Sequence, residues 1–120
     1  MTAPRLHSLA LIASGVIAVV IAVLTLMPGD GVPDAPGNDK LHHFLAFAAL
    51  VWPVVASRPR AALWAVPLAA GYGGMIELIQ PHVGRNGEWA DALANTLGAL
   101  SGAGLGWAAH RMLPARWRPA

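Results

Sequence analysis

LHSLALIASGVIAVVIAVLTLM, residues 6–27, contains no Asp, Glu, Lys or Arg. From Val16 to Val23 it is apolar on every side, so a helix here would have no polar face to turn to water. It is long enough to cross a bilayer, which takes roughly 20 apolar residues. A cleaved signal peptide would have an apolar region of only about 7–15 residues and a small-x-small cleavage site. Leu26-Met27-Pro28 offers no such site, so a retained membrane helix is expected.

The rest of the chain agrees. Of 120 residues, 56% are hydrophobic and 12% charged, with mean hydropathy +0.53. A soluble domain carries about 25% charged residues. Three further apolar runs follow, at about 41–56, 61–80 and 89–110. We expect an all-α, polytopic, four-transmembrane-helix bundle forming a single domain over 1–120. No cysteine is present, which excludes disulfides and thiolate chemistry. The pI is near 9.9, but the net charge is only +2 and the arginines lie scattered between the runs. They read as topology signals, and no nucleic-acid partner is expected.

Arg5, Arg58, Arg60, Arg111, Arg116 and Arg118 fall before the first run, between the second and third, and after the fourth. The other two loops hold Lys40 and Arg85 against several carboxylates. The positive-inside rule then puts both termini in the cytoplasm. Pro28, Gly29, Gly31, Pro33, Pro36 and Gly37 make the first loop, with Asn38 or Asp39 as helix cap.

Polar side chains gather at one end of the runs. Asp39, Lys40 and His43 open the second, Glu77 and Gln80 close the third, and Arg85, Glu88, Asp91 and Asn95 open the last. Lys40 and His43, three apart, share a helix face. Ala94, Gly98, Gly102 and Gly106 form a ladder of small residues four apart, which lets helix backbones approach closely. Gly73 and Gly74 offer a matching face on the third run. We expect the third and fourth helices to pack through these faces, bringing Glu77 towards Asp91 and Asn95. Homodimerisation through the ladder is the alternative.

Asp39-Lys40-Leu41-His42-His43-Phe44, Glu77-Leu78-Ile79-Gln80, Gly84-Arg85 and Asp91-Ala92-Leu93-Ala94-Asn95-Thr96-Leu97-Gly98 together resemble the VanZ-like family of small bacterial membrane proteins. The resemblance covers about residues 39–102. The doubled histidine departs from the family pattern, and His43 is preferred because it shares a face with Lys40. The stretch from Asn86 to Glu88 is more polar than the family pattern. The resemblance implies a multi-pass protein of the bacterial cytoplasmic (inner) membrane. It also implies a link to the response to teicoplanin, a glycopeptide antibiotic, and attaches no activity.

Several readings of the polar set stay open. It could be a structural ion-pair network, since buried charges must be paired. Lys40, His43 and Arg85 could hold a phosphate or carboxylate from outside, with Gln80, Asp91 and Asn95 serving hydroxyls or amides. The ligand would be a lipid-linked cell-wall precursor or a glycopeptide. Glu77 or Asp91 with His43 could serve as acid and base. However, Ser8, Ser14, Ser57 and Ser101 lie away from the set, and no nucleophile is placed, so catalysis is not favoured. Metal-assisted hydrolysis with His43, Glu77 and Asp91 as ligands is conceivable, but the spacing matches no compact motif such as H-E-x-x-H, and no metal is expected. No cofactor is expected. A homo-oligomer, or a role as accessory subunit of a larger membrane complex, completes the list.

Overall fold

A computed structural model describes residues 2–27, 39–84 and 87–118, with the backbone alone for Asp39. All regular structure in them is helical: α1 Ala3–Leu26, α2 Asp39–Ser57, α3 Ala62–Ile79 and α4 Trp89–Arg111. Short 3-10 turns occupy Pro59–Ala61, Gln80–Val83 and Ala115–Trp117. Thr2 Oγ1 accepts the Arg5 N–H at 3.4 Å and caps α1. Gly84, at φ 76°, stops the turn after α3 in a left-handed conformation that favours glycine.

Three described segments are long and apolar enough to cross a membrane: Ala3–Leu26, Lys40–Ser57 and Pro59–Val83. The fourth expected span, α4, has the length at 23 residues but lower apolarity. Glycines and alanines replace large side chains along it, and Asp91 and Asn95 sit in its first turns. On α1, only Ala10 and Ile21 are buried, while Leu9, Ile12, Val16, Val19, Val20 and Val23 are exposed. So continuous an apolar surface suits hydrocarbon and not water.

The glycine ladder does not pair α4 with α3 in the manner expected. It packs against the backbone of α2. A Cβ built on Gly98 would lie 2.2 Å from the Phe44 carbonyl oxygen, and one on Gly102 would lie 2.4 Å from that of Ala48. One on Gly106 would lie 2.7 Å from the Trp52 carbonyl oxygen. The ladder thus brings two helix backbones into contact, and α2 and α4 form the closest pair of the bundle. Ala94 is only half-buried. On α3, Gly73 does face α4, where its Cβ would lie 2.8 Å from Asn95 Nδ2. Gly74 packs against nothing within 4 Å. The core between these helices contains Phe47, Val51, Val55, Ile76 and Ala99.

Polar side chains inside the bundle reach backbone carbonyls of neighbouring helices. Ser14 Oγ donates to Leu50 O at 2.7 Å, Tyr72 donates to Ala18 O, and Gln80 Nε2 donates to Thr25 O at 3.1 Å. At the opposite end His7 Nδ1 lies 2.7 Å from Ser57 Oγ, and His110 Nδ1 donates to Ala56 O at 2.7 Å. These contacts bring the start of α1 and the ends of α2 and α4 together. The Lys40 and Glu88 ends meet at the other pole.

Candidate functional site

At that pole the first turns of α2 and α4 stand beside the last turns of α3. Lys40 and His43 point from α2 across to α4, as their three-residue spacing allows. Lys40 Nζ donates to Glu88 Oε2 at 3.0 Å and lies 3.3 Å from Asp91 Oδ1. His43 Nε2 lies 3.6 Å from the other Asp91 oxygen, Oδ2. His43 Nδ1 donates to Asn95 Oδ1 at 2.9 Å. Asp91 and Asn95 are 3% and 0% exposed, whereas the Lys40 side chain is 45% exposed. The cluster is therefore a buried floor of carboxylate, imidazole and amide under a half-exposed ammonium.

Glu77 enters from α3 and is buried. Its Oε2 accepts the Glu88 backbone N–H at 3.0 Å. Ligand atoms of His43, Glu77 and Asp91 all lie within 4.8 Å of one another. Gln80 is buried but gives its Nε2 to α1 through Thr25 O, and its Oε1 has no hydrogen-bond partner among the described residues. Arg85 lies outside the described residues. Thus Lys40, His43, Glu77, Asp91 and Asn95 come together, and Gln80 is turned at least partly away.

The structure adds two details at the start of α4. Glu88 holds the cap position, without a side-chain cap bond, and Asp91 sits in the first turn, where a carboxylate suits the positive end of the helix. Glu88 itself was not among the expected site residues, yet it joins α3 to Lys40 through its amide and its carboxylate. Its place three residues before Asp91 was the available signal. His42, the alternative histidine, is exposed.

The geometry sets the proton on His43. Asn95 Oδ1 can only accept, so Nδ1 carries a hydrogen and Nε2 is the nitrogen facing Asp91. An imidazole and a carboxylate so placed can share a proton or a cation. Beside the cluster a groove of about 660 Å³ runs between α3 and α4. Gly71, Gly74, Met75, Leu78, Trp89 and Ala92 line it, and Glu77 lies at its polar end. Gly74 thus lines a groove instead of a helix contact.

Comparison with known proteins adds one finding. No curated protein and no solved structure matches the chain significantly. The VanZ/LLP1 family model matches residues 7–110, so the similarity extends through α1, beyond the motif-bearing stretch. An all-helical chain with three membrane-length apolar helices, matched by that model over most of its length, belongs to the VanZ-like family.

Proposed function

We propose that this protein spans the bacterial inner membrane four times, with both termini in the cytoplasm. Its outward polar cluster would bind the head group of an anionic amphiphile of the cell envelope. The orientation is supported by Arg5, Arg58, Arg60 and Arg111, all on the pole opposite Lys40. Arg111 stacks 4.9 Å over Trp107, and Arg116 5.2 Å over Trp117, as interfacial anchors would. The fourth crossing is α4, whose polar residues lie mostly at its ends.

One observation carries the binding reading: the apolar groove between α3 and α4 runs to Glu77, beside the cluster that holds Lys40 half-exposed. An amphiphile has this division, a chain for the groove and a charged head for the cluster. A lipid-linked cell-wall precursor fits the description, and its capture would affect the response to glycopeptides. A structural reading also has support, because Lys40, Glu88, Glu77, His43 and Asn95 already bond to one another.

A thermal-shift comparison of detergent-purified wild type and Lys40→Ala separates the two. The ligands are a lipid-linked cell-wall intermediate, an anionic phospholipid and a glycopeptide. Head-group binding predicts a rise in Tm of about 3 °C for wild type with the lipid-linked intermediate, from about 1 kcal/mol of linkage. Lys40→Ala, equally folded, should show little. No shift with any ligand would leave only the structural network.

A further inference from the structure

We propose that His43, Glu77 and Asp91 form a site for one divalent first-row transition cation, of the Zn²⁺ class. The three ligands come from α2, α3 and α4, and their ligand atoms lie within 4.8 Å of one another. Two zinc ligands at about 2.1 Å and a tetrahedral angle stand roughly 3.4 Å apart. His43 Nε2 and Asp91 Oδ2, at 3.6 Å, already have nearly that separation. Glu77 offers an oxygen within 4.8 Å of both, so closing the set takes a movement of at most about 1.4 Å.

The surroundings are those a metal-binding imidazole needs. A ligating histidine gives its other ring N–H to an oxygen acceptor, which fixes the tautomer and aims the free nitrogen. Asn95 Oδ1 accepts that hydrogen from Nδ1 at 2.9 Å, and Asn95 is fully buried. Gly73 leaves the room for this amide, since a Cβ there would lie 2.8 Å from Asn95 Nδ2. Asp91 divides its two oxygens. Oδ1 faces Lys40 at 3.3 Å and Oδ2 faces His43. Glu77 is steadied by the Glu88 amide on Oε2. Both carboxylates are buried, with Asp91 at 3% and Glu77 at 8% exposure, so a bound cation would be shielded from water.

Three protein ligands leave a fourth position open, the pattern of zinc sites that take an exogenous ligand. An anionic head-group oxygen would complete it. That use of the fourth position rests on the binding reading above, whereas binding of the cation does not. The metal is therefore tested alone.

The full chain is purified in detergent, stripped with chelator and titrated with Zn²⁺ by calorimetry. One equivalent should bind with Kd tighter than about 10 µM. Glu77→Gln and Asp91→Asn, which keep side-chain volume, should each weaken binding at least tenfold, and Asn95→Ala by about 10–100-fold. His42→Ala should leave it unchanged. Zn-edge X-ray absorption on wild type should show one imidazole among oxygen ligands, a readout that needs no variant. Absence of binding by wild type, two or more imidazoles at the metal, or undiminished affinity in folded Glu77→Gln and Asp91→Asn would each overturn the proposal.

Discussion

Asn95 has no exposed surface, and its Oδ1 accepts from the His43 ring. Replacing it by leucine keeps the branched outline, though with bulkier methyl groups, and removes the acceptor. His43 Nδ1–H would then be left without that partner in a largely buried setting, at a cost of about 1–3 kcal/mol. We expect Asn95→Leu to lower the detergent Tm clearly, while Lys40→Ala, at a half-exposed position, changes it little. Equal stability of Asn95→Leu and wild type would show that the His43–Asn95 bond carries no weight. The identities of His43, Glu77, Asp91 and Asn95 as a set were legible in the sequence, because polar groups in apolar runs are conspicuous. Glu88 was visible as one of the charged residues opening the last run, but its link to Glu77 was not, since that link runs through a backbone N–H.

At the level of helices, the glycines divide into those that face backbone and those that face open space. Gly98 and Gly102 would place a Cβ 2.2 and 2.4 Å from carbonyl oxygens of α2. Backbone cannot rotate aside as a side chain can. Gly98→Leu should force α2 and α4 apart, cost about 3 kcal/mol or more, and appear as loss of monodisperse, folded protein on size exclusion. Gly74 meets nothing within 4 Å. Gly74→Ala should be neutral or stabilising by up to about 1 kcal/mol in chemical denaturation, because alanine is the better helix former. The same groove gives a sharper contrast. Gly74→Leu should leave the fold intact yet reduce stabilisation by a lipid-linked ligand, read by the thermal shift described above; undiminished stabilisation would remove the groove from the binding site. The ladder itself is visible as a period of four, but a ladder names no partner. Its assignment to α3 failed because α3 offers only Gly73 towards α4, while α2 presents its backbone along the whole stripe.

For the molecule as a whole, topology is the open quantity, and the absence of cysteine makes it measurable. Single cysteines replacing His42 or His82 should react with a membrane-impermeant maleimide in intact cells. One replacing Arg60 should react only after lysis. Labelling of the Arg60 position in intact cells would invert the orientation, and the reverse pattern for His82 alone would break the four-span count. Membrane character needed no tertiary information, since residues 6–27 hold no Asp, Glu, Lys or Arg and Val16 to Val23 are apolar on every side. Helix α4 is less apolar than the other three, because close packing on α2 requires small residues in place of large hydrophobic ones.

Composition and periodicity determined that this chain is helical, that it suits a bilayer and that its polar residues gather at one pole. These properties depend on residue type and on spacing along a single helix, which the chain order displays directly. Which helix lies against the glycine ladder, that Gln80 turns to α1, and that Glu77 takes the Glu88 backbone N–H were decided only by tertiary structure. Each depends on the rotation of one helix about its axis relative to another. That rotation is set by the sum of many small packing contacts across three helices, and no local motif encodes it.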